Sequence, residues 1–246
     1  MQMLALYSIK GGVGKTASAV NLAAEAALAG KRVLLWDLDP QAATTFYLKS
    51  KAKVRGGIDK LVKGKATLDK VIRATEIERL DLLPASFGSR EMDRLLEGRK
   101  PSRLRKILKP INDDYDLVLL DCPPNLSALS DQVFSSIDAL LVPVVPSTLS
   151  MRTLTLLREH LDGQDQPCPV WPFATLVDRR KRLHRDTLET LPEQWPLRLS
   201  ATIPYASVIE RMGVEQAPVA SFARRTRAAQ AYTALWEEVA GRLGNA

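Results

Sequence analysis

Residues 10–16 read Lys-Gly-Gly-Val-Gly-Lys-Thr, after an apolar run from Met3 to Tyr7 and before an alanine-rich segment of helical spacing. Gly11, Gly12 and Gly14 let backbone N–H groups converge on oxygens without interference from Cβ atoms. A helix starting here adds the positive end of its dipole. The chemistry this implies is phosphate binding. Lys15 would reach β- and γ-phosphates and the Thr16 hydroxyl would ligate Mg²⁺, with Val13 and Ala17 completing the cradle. The general pattern wants glycine where this chain has Ile9. What stands beside it is Lys10, a second cation aimed at the same phosphates. The plainer alternatives are a glycine-rich turn without a ligand and a solvated Lys10.

Two acid-terminated runs extend the set. Leu34-Leu35-Trp36-Asp37-Leu38-Asp39-Pro40-Gln41 carries Asp37 and Asp39 two residues apart. Alternation along a strand places both on one side, near the carboxyl ends where open α/β sheets bind ligands. Carboxylates there can hold metal-bound water and position an attacking water. For Asp37 the alternative is a helix N-cap or turn residue. Leu117-Val118-Leu119-Leu120-Asp121 ends in a single acid, which a buried strand would deliver to the Mg²⁺ shell. Cys122-Pro123-Pro124 stiffens the exit.

Such residues need a scaffold of parallel strands with helices between them. Apolar runs alternate with helical patterns throughout, which predicts an α/β fold: one doubly wound, mostly parallel sheet with helices on both faces, in a single domain over residues 1–246. Strands are expected at residues 4–8, 32–37, 80–84, 117–121, 139–145, 170–177 and 199–203. Several are unbroken hydrophobic runs, as strands covered on both faces require. The first helix shows a stripe of Val20, Ala23, Ala24, Ala27 and Leu28, stopped by Gly30. A more polar insert, residues 41–112, holds short helical patterns at 58–62, 68–72, 90–96 and 102–108. The last helix has an apolar stripe of Tyr232, Leu235, Trp236, Val239 and Leu243, opposite Glu237, Glu238 and Arg242. A membrane-surface helix would favour a polar face rich in Lys and Arg, so this stripe reads as core packing.

The composition is that of a water-soluble globular protein, 46% hydrophobic and 26% charged. No stretch approaches the roughly 20 apolar residues of a membrane span, and no secretory h-region opens the chain. Two cysteines, Cys122 and Cys168, are too few for a disulfide framework or a four-thiolate metal site, and both read as buried hydrophobes in a reducing cytoplasm. His160 and His184 are isolated. The net charge of +7 is uneven, with seven basic residues against one acid from Lys49 to Lys65. Arg179, Arg180, Lys181, Arg182 and Arg185 form a second basic group, and Arg224, Arg225 and Arg227 a third. Such groups favour a polyanion partner or form plain solvated faces.

With Lys10 added, the loop resembles the deviant Walker A motif of the ParA/MinD partition ATPases, a P-loop NTPase family, and the chain looks closest to the ParA-type members. The resemblance spans nearly the whole sequence. It implies that Lys10 reaches across a nucleotide-sandwich homodimer to the partner's ATP. It also implies that Asp39 positions or polarises the hydrolytic water while Asp37 supports the metal side. Residues 174–180 look like the segment that contributes to the family's base pocket. Carried over, Thr175, Asp178 and Arg179 lie on one wall, although many relatives place Asn at the position of Thr175. Ile203, Pro204 and Tyr205 resemble the second wall.

The implied activity is Mg²⁺-dependent ATP hydrolysis coupled to dimerisation, in a cytoplasmic protein associated with the nucleoid when ATP-bound. The dimer would bind DNA nonspecifically, through Arg179, Arg180, Arg182, Arg211, Arg224, Arg225 and Arg227. An adaptor or cargo protein would stimulate hydrolysis. No helix-turn-helix precedes Met1, so operator recognition is not expected. Rival readings are a dethiobiotin-synthetase-like ligase, a reductase resembling the nitrogenase iron protein, a bacterial tyrosine kinase and a MinD-like membrane-positioning ATPase. The ligase would need a small-molecule pocket. The reductase would need two interface cysteines, and the kinase a tyrosine-rich tail where this one has only Tyr232.

Overall fold

A computed structural model describes residues 1–50, 67–85, 94, 96, 98, 102–164 and 168–244. Its strands are β1 Gln2–Leu6, β2 Val33–Asp37, β3 Arg73–Ala74, β4 Leu80–Leu83, β5 Leu117–Asp121, β6 Ala139–Val144, β7 Val170–Val177 and β8 Thr202–Pro204. They form one sheet in the order β3-β4-β2-β5-β1-β6-β7-β8. Every neighbouring pair is parallel except β3 with β4. The helices are α1 Lys15–Leu28, α2 Ala43–Tyr47, α3 Arg103–Leu108, α4 Ala128–Phe134, α5 Thr148–Asp162, α6 Arg182–Gln194, α7 Ser207–Glu210, α8 Met212–Glu215, α9 Val219–Ala223 and α10 Arg227–Gly244.

The unbroken apolar strands serve two cores, one on each face. In β5, Leu117 and Leu119 face the core built with α1, α9 and α10. Val118 and Leu120 face the core built with α3, α4, α5 and α6. Small side chains bring α1 close to the sheet, where Ala19, Ala23 and Ala26 are fully buried. Leu28 departs from the predicted stripe. As the last residue of α1 it has no following turn to cover it, and it stays 53% exposed. Gly30 then ends the helix in the left-handed region (φ +91°), with Gly30 N–H on Ala27 C=O and Lys31 N–H on Ala26 C=O. Those two bonds satisfy the last orphan carbonyls.

Several element boundaries differ from the sequence reading, those of β2, β4 and β6 by a single residue. Pairing fixes β1 as Gln2 to Leu6, opposite Leu117 to Asp121, and the chain then leaves the sheet as a loop. The short antiparallel edge β3 was not legible as a strand. The last strand starts at Thr202 and not 199, because the Glu238 carboxylate takes the N–H groups of Ser200 and Ala201 at 2.6 and 2.7 Å. Of the insert's helical patterns, 68–72 is a 3₁₀ turn, Leu68–Lys70, and 102–108 is α3. The pattern at 58–62 and most of 90–96 lie outside the described residues, as does most of the basic run from Lys49 to Lys65.

The apolar stripe of α10 is core. Tyr232, Leu235, Trp236 and Val239 pack against α1 and the sheet. Arg242 on its other face binds the carbonyls of Leu197 and Arg198 and lies over the Trp171 ring. No helix among the described residues is long and apolar enough to cross a membrane.

Candidate active site

The phosphate-type loop leaves β1 in the middle of the sheet. Gly12 and Gly14 have φ of +70° and +85°, the left-handed region that strains any side chain. A Cβ at Gly14 would also meet the Thr175 hydroxyl at 3.2 Å. Helix α1 starts at Lys15 with no side-chain cap and no acid in its first turn. Its first intrahelical bond runs from Ser18 N–H to Gly14 C=O. The first-turn N–H groups are thus left facing the loop, a ready anion site.

The two lysines occupy different places. Lys15 is 7% exposed, and its Nζ has one long bond, 3.5 Å to the Lys10 carbonyl. Burial lowers its pKa, opposed by the charges of Asp121 and Asp39. Lys10 is half-buried, with Nζ on the Ser150 hydroxyl at 3.2 Å. Ser147 in turn donates to Ser150 at 3.0 Å.

Asp37 and Asp121 end adjacent strands in direct register. Asp121 is fully buried, and its Oδ2 accepts from the Thr44 hydroxyl at 2.7 Å. The Thr16 hydroxyl approaches the same carboxylate and acts to lower its pKa. Oδ1, however, has no hydrogen-bond partner. A buried unpaired carboxylate oxygen is costly, and a cation or its water beside Thr16 would satisfy it. The donor set therefore fits Mg²⁺. Asp37 does not join it directly. Its Oδ2 accepts the Thr45 N–H and hydroxyl at 2.9 and 2.7 Å, and its Oδ1 accepts the Asp39 N–H. That is the turn-organising alternative: in this structure Asp37 holds the start of α2. Asp39 stands in the turn that follows, half-buried, with Oδ1 accepting the Gln41 N–H at 2.9 Å.

Burial first, then the Asp37 charge, pushes Asp121 up to about 7. Burial pushes Asp37 up to about 6 against the hydrogen bonds from Thr45 and Asp39. Raised folded-state values mean that both acids hold protons in the fold that they release when unfolded. Stability of the nucleotide-free protein is then full below the ordinary carboxylate range and falls as pH rises to about 7. The expected result is a melting temperature that drops between about pH 4 and pH 7, with a flatter profile in Asp121→Asn. An equally steep profile in that variant would contradict the assignment.

The expected base pocket is only partly assembled. Thr175 is 1% exposed and lies against Gly14, so it supports the phosphate loop and not an open wall. Leu176 beside it has φ +51°, a left-handed residue at the irregularity between β7 and β8. The Asp178 carboxylate is closed by Arg180, with Nε–Oδ1 and Nη2–Oδ2 both at 2.9 Å, and this pairing holds its pKa down near 2. Ile203 is buried in the core, while Pro204 is half-buried and Tyr205 is 60% exposed. Arg179, Pro204 and Tyr205 remain accessible.

Ion pairing also sorts the basic residues. Arg180 is neutralised by Asp178 and Arg211 by Glu215 at 2.6 Å, and Arg182 lies 3.5 Å from Asp186. Arg224 is exposed near Glu25, whose pKa is raised by burial and lowered in part by the Arg224 charge. Among the described residues, Arg179, Arg225 and Arg227 are exposed without a carboxylate partner. Sequence reasoning missed Thr44, Thr45 and Ser150. The only signal for the first two was a polar β-branched pair eight residues after the strand-end acid.

The family model described as an AAA domain matches residues 1–165. The sporulation initiation inhibitor protein Soj of Bacillus subtilis (strain 168) is 30% identical over 250 residues, covering 97% of this chain and 98% of Soj. The chain belongs to the ParA/MinD-type family of partition ATPases. Among solved members of the fold is a protein of Borrelia burgdorferi B31, described as a plasmid partition protein and bound to AMPPNP. It matches with a TM-score of 0.84 at 22% identity, over 98% of this chain and 99% of its own. Cobyrinic acid a,c-diamide synthase of Mycobacterium smegmatis, with bound ADP and magnesium, matches with a TM-score of 0.82 at 26% identity, over 99% and 96%. In this partition ATPase the loop, the Thr16–Asp121 pair and Asp39 form one cluster, and Lys10 stands at its rim.

Proposed function

We propose that the chain is a Mg²⁺-dependent ATPase of the ParA type, a dimerisation switch that positions a cargo by binding DNA nonspecifically in its ATP state. One observation carries the reading. Lys15 fills the inside of the loop, so Lys10 is a cation the chain's own cradle does not need. Held on the Ser150 hydroxyl with no carboxylate partner among the described residues, it can neutralise phosphate charge on a second copy.

In this reading the α1 N-terminus and Lys15 bind and orient the terminal phosphates. Thr16 and the unpaired Oδ1 of Asp121 would hold Mg²⁺, which would supply charge neutralisation at phosphate oxygens. Asp39 accepts a hydrogen bond from the attacking water and aligns it. Loss of the γ-phosphate removes what Lys10 of the partner subunit was held by, so the dimer's population falls. An adaptor or cargo protein accelerates that step. The likeness to a solved diamide synthase supports a small-molecule ligase as the second reading. ATPase stimulation by DNA, and not by a carboxylate metabolite, separates the two.

The DNA face is tested on the cations the fold leaves available. Arg224→Glu, Arg225→Glu and Arg227→Glu together should leave the ATP-bound dimer intact and weaken DNA retention. Loss of three phosphate contacts lowers the slope of log affinity against log salt by about 2.7. Unchanged affinity and slope in gel shifts across salt concentrations would remove these residues from the face.

A further inference from the structure

A cleft of about 340 Å³ lies at the β8 edge of the sheet, between α6 and the segment entering β8. No residue of the phosphate loop lines it, and of the expected nucleotide contacts only Arg179 does. The volume is that of a small-molecule site. Of the apolar residues that line it, Leu188 is half-buried and presents surface, while Ala174, Leu191 and Leu199 are almost fully buried behind it. Three guanidinium groups, Arg179, Arg185 and Arg198, share the lining with a single carboxylate, Glu189. None of the three forms an ion pair among the described residues. Arg185 donates only to backbone, the carbonyls of Arg179 and Arg180 at 2.8 and 3.3 Å.

Arg198 is the telling group. It is half-buried, its Nε is removed from solvent with no hydrogen-bond partner, and its Nη1 reaches only the Leu199 carbonyl and the Ser200 hydroxyl, each at 3.4 Å. A guanidinium N–H removed from solvent without an acceptor is unfavourable, and an anion in the cleft would relieve it. Ser200 and Thr202 add hydroxyls to the same lining. Leu188 and the arginine stems offer apolar surface that inorganic phosphate would leave uncovered. We propose that this cleft binds a small organic anion, an apolar body of about aromatic size bearing one carboxylate or phosphate. The anionic end meets Arg198 with Arg179 or Arg185, where a planar guanidinium takes two oxygens. The body lies on Leu188. A DNA backbone fits less well, because its charged surface would cover that leucine without giving it an apolar partner.

The test is a fluorescence and calorimetric titration of the full chain, saturated with ADP and Mg²⁺, using 1-naphthyl phosphate, 2-naphthoate and inorganic phosphate. Both naphthyl probes should bind one per chain, with inorganic phosphate at least tenfold weaker. Arg198→Ala and Leu188→Asp should each weaken both naphthyl probes at least tenfold. Arg185→Ala provides a second cation variant should Arg198→Ala fail to fold, as judged by thermal melting. Absence of saturable binding, affinities unchanged in the variants, or inorganic phosphate binding as tightly as the naphthyl probes would each overturn the site. So would loss of DNA retention in Arg185→Ala alongside no probe binding, which would assign these arginines to a nucleic-acid face.

Discussion

Lys15→Ala should abolish measurable nucleotide binding. The ammonium is buried within the loop, close enough to Asp121 and Asp39 to feel both charges, yet makes a single long hydrogen bond to a carbonyl. A cation so placed is matched to an anion that enters the loop. Without it, the phosphates of a nucleotide would face Asp121 and Asp39 with no intervening positive charge. Truncating one partner of a desolvated charge pair costs about 2–5 kcal/mol, which is roughly 30- to 4,000-fold in affinity. The fold itself should survive, because alanine is a good helix former and burying Lys15 already works against its charge. A fluorescent-nucleotide titration on the folded variant checks this. Affinity within threefold of the unmodified chain would show that the loop does not hold phosphates through Lys15.

Asp39→Ala should keep ATP binding and dimerisation while turnover falls by about 10²–10⁴-fold, the usual contribution of a positioned proton acceptor. Asp39 stands in the turn between β2 and α2, close to Lys15 but outside the buried pair of Asp37 and Asp121. Only its Oδ1 has a backbone donor, the Gln41 N–H, which orients the carboxylate. Removing a negative charge beside the phosphates cannot weaken ATP binding electrostatically, so the loss should fall on kcat. Single-turnover hydrolysis reads it directly. Normal hydrolysis by the folded variant would remove Asp39 from the chemistry.

The loop, its strand and its helix were legible because local rules dictate them: glycine at positive φ, an apolar run before, small residues on the helix after. Both strand-end acids were legible as positions, and their division of labour was not. Asp37 is occupied by Thr45, and nothing local says that a hydroxyl eight residues on will fold back. The hold of Ser150 on Lys10 joins residues 140 apart, beyond any periodic pattern. Thr175 read as a base contact because its strand ends at the right place. Its hydroxyl instead fills the space that Gly14 leaves open. The start of β8 was misplaced because a carboxylate on the last helix, Glu238, takes two of its backbone donors. Charge runs were least informative. Arg180 and Arg211 look like the other arginines in sequence, yet each is spent on a neighbouring acid.

Sedimentation equilibrium of the unmodified chain and of Lys10→Ala, each with AMPPNP and Mg²⁺, tests the central claim most directly. The account predicts the mass of two chains for the first and of one for the second, with both monomeric in ADP. A monomer in every condition, or a dimer that forms equally well without the Lys10 ammonium, would contradict it.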